Sequence, residues 1–143
     1  MPKPDAKDAT GVIRKVALAV FKDKKILQVR TSKNDHVFYA PGGKIEEGET
    51  DIECLKREIR EELDANIDDK SVSFLHEFTG PAHGKPGTLL NIKFYQGNLI
   101  GEPKPTSEIV EIGFFDSESD LKHISEIGRT QFFPWLKKHG YIN

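Results

Sequence analysis

One cysteine, one methionine and one tryptophan are the whole stock of those residues in a chain of 143. Cys54 therefore has no intramolecular disulfide partner, and the fold must rest on packing. A chain built this way suits a reducing, cytosolic compartment. Charge of one sign is also lacking: 21 lysines and arginines stand against 23 aspartates and glutamates, for a formal net charge of −2. Bulk electrostatics thus gives no hold on a nucleic-acid polymer or an anionic membrane. Long apolar runs are missing as well. VALAVF (16–21) is the longest strongly apolar run near the N-terminus, too short to span a bilayer or to act as a secretory signal. There is no internal repeat and no low-complexity tract. His36, His76, His83, His123 and His139 show no metal-ligand spacing and read as surface or packing residues; only His83, in the loop GPAHGKPG (80–87), is placed to touch a ligand.

What is present fits one domain. The length allows a self-supporting core without a metal or disulfide staple, and 36% hydrophobic with 31% charged residues is ordinary for a soluble chain. MPKPDAKDAT (1–10) is polar and proline-containing and is expected to form a mobile tail, leaving residues 11–143 as the domain. VIRKVALAVF (12–21) and KILQVR (25–30) read as strands joined as a hairpin at KDK. HVFYA (36–40), SVSFLHEFTG (71–80), TLLNIKFYQGNLI (88–100) and EIVEIGFFD (108–116) are further strand candidates. A helix is predicted from about Asp51 to Leu63, and a second within SEIGRTQFFPWLKKHG (125–140), interrupted or begun at Pro134. Phe132, Phe133 and Trp135 are expected to pack that last helix on the sheet. The order of elements points to an α+β, mixed α/β fold.

The first helix carries the chemistry. Thr50 followed by Glu53 is a capping box. With Ile52 at zero and steps of about 100°, Leu55, Ile59 and Leu63 fall near 300°, 340° and 20°, a core stripe. Lys56, Arg60, Glu53 and Arg57 lie between about 40° and 140°, a mixed face on which Glu53 and Arg57 are an i,i+4 pair. Glu61, Glu58, Asp51 and Glu62 fill the arc from about 180° to 280°, with no base among them. Like charges so placed repel. Glu62 borders the core stripe, where a carboxylate loses hydration and needs a partner. Hard divalent cations take oxygen ligands and can be that partner. Cys54 reads as a small helix filler. Before the helix comes PGGKIEEGE (41–49), in which paired glycines let the backbone turn tightly and approach a ligand.

The spacing from Gly43 to Ala65 resembles the signature of the Nudix hydrolases, G-x5-E-x7-R-E-U-x-E-E-x-G-U, with U a bulky aliphatic residue. Gly43, Glu49, Arg57, Glu58, Ile59, Glu61 and Glu62 take their places in it. Asp64 stands where the pattern has Gly and Ala65 where it has an aliphatic. Asp tolerates the left-handed backbone better than most residues, so the helix exit is expected to survive. VFYAPGG also resembles the family's entry to the motif, with Phe38 where Trp is common.

That resemblance implies a Nudix-type α/β/α sandwich around a mixed sheet, and hydrolysis of a nucleoside diphosphate linked to another moiety with Mg²⁺ or Mn²⁺ as cofactor. It implies Glu58, Glu61, Glu62 and the carbonyl of Gly42 as metal ligands. Glu58 could also orient or deprotonate the attacking water, and Arg57 would position Glu49 or Glu58. Some relatives add a later acid before an aromatic-containing strand, and Glu108 is the residue here, with Glu111 second. Arg30, Lys33, Gly43 and Lys44 are assigned to substrate binding, because their segments feed the motif loop. The short chain resembles more the branch that cleans nucleoside triphosphates, including oxidised dGTP, so a (d)NTP cleaved to a monophosphate and pyrophosphate is the first expectation, with ADP-ribose cleavage or a non-catalytic nucleotide-sensing module as alternatives. Pro81, sixteen residues after Ala65, resembles a position in relatives directed to ADP-ribose. A small nucleotide is thus the expected partner, with no nucleic-acid polymer and no membrane, and a homodimer is compatible.

Overall fold

The structure is a computed structural model that describes residues 11–33, 36–82, 85–106 and 108–143. The proposed tail, 1–10, and His83 lie outside the described residues. Strand β1 (Val12–Ala19) is flanked by β5 (Gly42–Lys44), antiparallel, and by β8 (Leu89–Gln96), parallel; β7 (Ser73–Pro81) completes the sheet in the order β5-β1-β8-β7. A second sheet runs β10 (Ile109–Phe115), β3 (Lys25–Thr31), β2 (Phe21–Lys22), with β4 (Phe38–Tyr39) also on β3. A short pair, β6 (Asn66–Ile67) with β9 (Leu99–Ile100), lies apart.

The hairpin at KDK is real but smaller than expected. β2 and β3 pair through a two-residue turn in which Asp23 and Lys24 both have positive φ, 53° and 62°, as a type I′ turn requires. Lys24 carries this uncommon backbone where the C-terminus closes over it: its Nζ donates to Gly140 O at 2.6 Å and its carbonyl accepts from Asn143 N–H at 3.1 Å. β1 itself goes to the other sheet. The expected strand over 88–100 is two strands, because the chain breaks step at Gly97, where a Cβ would come within 3.3 Å of Leu18 Cδ1. The glycines after Pro41 are themselves a strand, β5, which the turn reading overlooked.

Alternation along β1 and β3 feeds two cores. Val16, Leu18, Leu27 and Val29 pack with helix α1 (Asp51–Leu63). Ala17, Ala19 and Ile26 pack on the other side with Phe94, Phe132 and Phe133. There the chain makes a wide turn over Gly128–Phe132 and runs into α2 (Phe133–Lys138). Pro134 lies in the first turn of α2, where a missing N–H costs nothing. Phe132 and Phe133 are buried, and Phe132 stacks on Phe94 at 3.7 Å between centroids, the packing role expected of them. Helices thus cover both faces of mixed β-structure, the α/β/α arrangement.

α1 is bounded as its sequence predicts. Thr50 accepts from Glu53 N–H, Glu53 returns the bond to Thr50 N–H, and Asp64 ends the helix in the left-handed region, its N–H donating to Arg60 O. Leu55, Ile59 and Leu63 are fully buried, each worth roughly 1.5–3 kcal/mol of transfer free energy. Leu55→Ala is expected to lower stability by about 2–5 kcal/mol, measured as a shift of the urea midpoint at unchanged slope.

Candidate active site

The site is built where α1 lies against β5. Gly42 cannot carry a side chain, since a Cβ there would sit 2.1 Å from Val16 O. At Gly43 a Cβ would fall 2.4 Å from Glu58 Cδ, so the bare backbone is the cradle in which that carboxylate rests. Gly42 N–H donates to Glu62 Oε1 at 2.9 Å. Glu62 is 6% exposed, the boundary position the helical wheel gave it. Burial first, and the neighbouring Glu58 charge second, push the Glu62 carboxyl up to about 8. Burial also raises Glu58, against the pull of Arg57. Glu108 adds to the negative field at both carboxylates.

Arg57 ties the preceding loop to the helix. Its Nε and Nη2 grip the two oxygens of Glu49 at 2.7 and 3.0 Å, a bidentate fork, while Nη1 reaches Glu58 at 2.8 Å and Glu61 at 3.4 Å. This charge-assisted pairing holds Glu49 down at about 2. The expected pairing of Arg57 with Glu49 or Glu58 is thus satisfied by both. The expected Glu53–Arg57 pair is not made, because the capping box takes Glu53 and the long arginine swings across the helix surface. For the same reason the acidic arc does not lack a base. Asp51 leaves the group too: Tyr95 Oη donates to it at 2.6 Å, and Lys93 Nζ lies 3.8 Å away.

Among the described residues no three acidic, histidine or cysteine side chains are already drawn together as a metal would draw them. Glu62, buried, and Glu58, half-buried, face β5, whereas Glu61 is 58% exposed and turned toward Arg57. At Gly42 the observed contact is the N–H to Glu62. Two adjoining carboxylates that burial biases toward protonation, beside a side-chain-free strand, nonetheless suit a hard cation that would replace the protons.

Next to this corner opens a cavity of about 320 Å³. Gly42, Gly43 and Lys44 form one lip, and its walls include Ile92, Phe94 and Phe132 from between the sheet and the last helix. Gly43 and Lys44 are therefore where a bound molecule would meet them. Arg30 and Lys33 are not among the lining residues. Arg30 is ion-paired with Glu111 at 3.0 Å and lies over the Phe38 ring; Lys33 is exposed. Glu111, the second choice for a late acid, is occupied by that pair. His76 and His139 stack on Trp135 at 4.6 and 4.2 Å, consistent with packing.

The NUDIX domain family matches residues 12–136. The chain belongs to that family. An ADP-ribose pyrophosphatase of Methanocaldococcus jannaschii is 35% identical over 97 residues, covering 66% of this chain and 56% of that protein; the match spans little over half of the relative's length. Among solved structures, a UDP-X diphosphatase superposes with a TM-score of 0.74 at 24% identity, over 97% of this chain and 68% of the other. A MutT NUDIX hydrolase from Burkholderia pseudomallei gives 0.70 at 20% identity, over 82% and 93%. These two likenesses establish the shared NUDIX fold.

Lys15 and Gln28 line the cavity and escaped the sequence reading. The signal for Lys15 was available: a lysine at the same parity as Ile13, Ala17 and Ala19, the positions of an inner strand that face a core.

The raised Glu62 carboxyl has a measurable sign. Between about pH 4.5 and 8 it is protonated in the folded protein and ionised in the unfolded chain. The folded state then binds more protons, so metal-free stability falls as pH rises through that window. Urea unfolding in EDTA from about pH 5 to 7 is expected to show the fall, with a slope of up to about 1.4 kcal/mol per pH unit for one proton. Glu62→Gln should flatten it. An equal slope in that variant would locate the proton elsewhere.

Proposed function

We propose that this protein is a pyrophosphohydrolase acting on a nucleoside diphosphate linked to another group. The observation that carries the reading is the cavity whose lip, Gly42–Lys44, is the strand against which the Glu58 and Glu62 carboxylates lie. A nucleoside seated in the apolar part would place its diphosphate at that lip. Glu58, Glu61, Glu62 and the Gly42 carbonyl would hold Mg²⁺ or Mn²⁺, which supplies neutralising charge to the phosphates and an acidified water. Arg57 fixes Glu58 in one orientation through its 2.8 Å contact. A carboxylate so held, with its affinity for a proton raised by burial, is suited to accept the proton of the attacking water. Glu108, within the same field, is the second acid in reach. All these motif carboxylates are present, which weighs against a sensor that binds nucleotide without cleaving it. The sole thiol, buried Cys54, suits a cytosolic setting.

Two substrate types share the nucleoside and diphosphate this site suits. A (d)NTP, oxidised dGTP included, would give a monophosphate and pyrophosphate. ADP-ribose would give AMP and ribose 5-phosphate, and the Methanocaldococcus relative together with Pro81 in the cavity wall favours it.

Product analysis on dNTPs, oxidised dGTP, ADP-ribose and dinucleoside polyphosphates with magnesium separates the two. Glu58→Gln is expected to lower turnover on the preferred substrate by about two orders of magnitude or more while thermal unfolding stays cooperative. Undiminished turnover in the variant would remove Glu58 from the chemistry. Nucleotide binding without cleavage of any member of the panel would leave a sensor.

A further inference from the structure

Lys15 is the least comfortable residue in the molecule. It lies in β1 between exposed Arg14 and buried Val16, on the same parity as Ile13 and Ala17, and it lines the cavity with both of them. The antiparallel register sets it directly opposite Lys44 of β5, and that lysine lines the same cavity. Like charges facing each other across a strand pair are destabilising, and removing an ammonium from water adds to the cost. Burial does lower the affinity of Lys15 for its proton, while Glu62 and Glu58 restore part of it. Yet among the described residues no carboxylate comes within ion-pair distance of Lys15. The acids attract it through space and none engages it. An anion beside Lys15 would give its ammonium the direct partner that the two acids do not. At that point the apolar cavity meets the lip of Gly42 and Gly43, where the first phosphate after a nucleoside would fall.

We propose that Lys15 is a specificity-determining residue of the site, its Nζ donating to a non-bridging oxygen of the phosphate attached directly to the nucleoside. The assignment deepens the nucleotide reading given above and rests on it. It separates recognition of the two ends of the diphosphate. The phosphate next to the nucleoside is met by Lys15 from the sheet, and the acidic corner on α1 deals with the bond to be broken. It also sets what the cavity selects: a nucleotide over a free nucleoside, whichever group lies beyond the diphosphate.

The test is product binding, which consumes nothing. Calorimetry in magnesium would compare AMP with adenosine, and dGMP with deoxyguanosine, on the wild type, Lys15→Met and Lys15→Arg. Lys15→Met is expected to weaken the monophosphate by about tenfold or more while the matching nucleoside changes by less than about twofold. Lys15→Arg should recover most of the loss. A lysine that merely counterbalances Glu62 and Glu58 would lower the melting temperature and weaken nucleoside and monophosphate alike, and that result would overturn the proposal. Equal monophosphate binding by wild type and Lys15→Met would overturn it alone, leaving the nucleotide reading intact. Failure of the wild type to bind either monophosphate would remove both. Should Lys15→Met not fold, the Lys15→Gln variant carries the same comparison.

Discussion

Two carboxylates, Glu58 and Glu62, are held out of water against a strand of bare glycine backbone. Left to themselves they would separate or take up protons, since like charges in a poorly hydrated corner repel strongly. Three devices keep them there. The apolar stripe of Leu55, Ile59 and Leu63 seats α1 on the sheet and fixes its rotation. The capping box at Thr50 fixes where the helix begins, so the stripe and the acids keep their phase. A slip of one residue would turn the helix by about 100° and drive a carboxylate into the core. Finally, Gly42 N–H and the Arg57 guanidinium give Glu62 and Glu58 hydrogen bonds that favour their charged forms. The glycines are needed for the same reason. Any side chain at Gly42 would meet Val16 O, and one at Gly43 would displace Glu58.

Much of this was legible because it is local. The helix, both its caps, its buried stripe and the boundary position of Glu62 follow from residues within one segment of chain, where a period of 3.6 and the preferences of Thr, Glu and Asp decide the outcome. The family signature is legible for the same reason, being a spacing along one loop and helix. What escaped depends on contacts between distant parts. Asp51 read as a member of the acidic group, but its partner Tyr95 lies 44 residues away. Arg30 read as a ligand contact, but Glu111, 81 residues on, claims it through a strand pairing that a bulge at Val110 sets in register. Arg57 meets Glu49 and Glu58 as the family spacing implied, but not the Glu53 that the wheel offered, because a wheel records where a side chain leaves the helix and not how far it reaches. Lys15 was passed over because its strand looked like core, and core is where a lysine ought not to be.

Of the cations assigned to the substrate, Lys44 lines the cavity and Arg30 and Lys33 do not, while Lys15 of β1 does. Arg30, near the end of β3, already has its acid in Glu111 on the neighbouring strand, and Lys33 beyond it is exposed. A lysine inside a strand, by contrast, has its position set by the sheet and loses little further freedom when an anion arrives, which favours binding. The walls of the cavity carry Lys15, Lys44 and Lys85 with one acid, Glu126, while Glu58 and Glu62 of α1 lie against its Gly42–Gly43 lip. A diphosphate laid across that boundary would meet positive charge at one end and negative charge at the other.

That polarity couples cation and nucleotide. When Glu58 and Glu62 are ionised, their charges pull on Lys15 and help it stay protonated. A divalent ion taken up by those acids would spend their field on itself, and Lys15 would then lose its compensation unless an anion came to it. A nucleotide phosphate would be such an anion, and its charge would in turn relieve the cation. Each ligand would then improve the setting for the other, and because binding free energies are reciprocal the gain would be equal in both directions. An acidic corner beside half-buried lysines would be a poor site for either ligand separately and a good one for the pair.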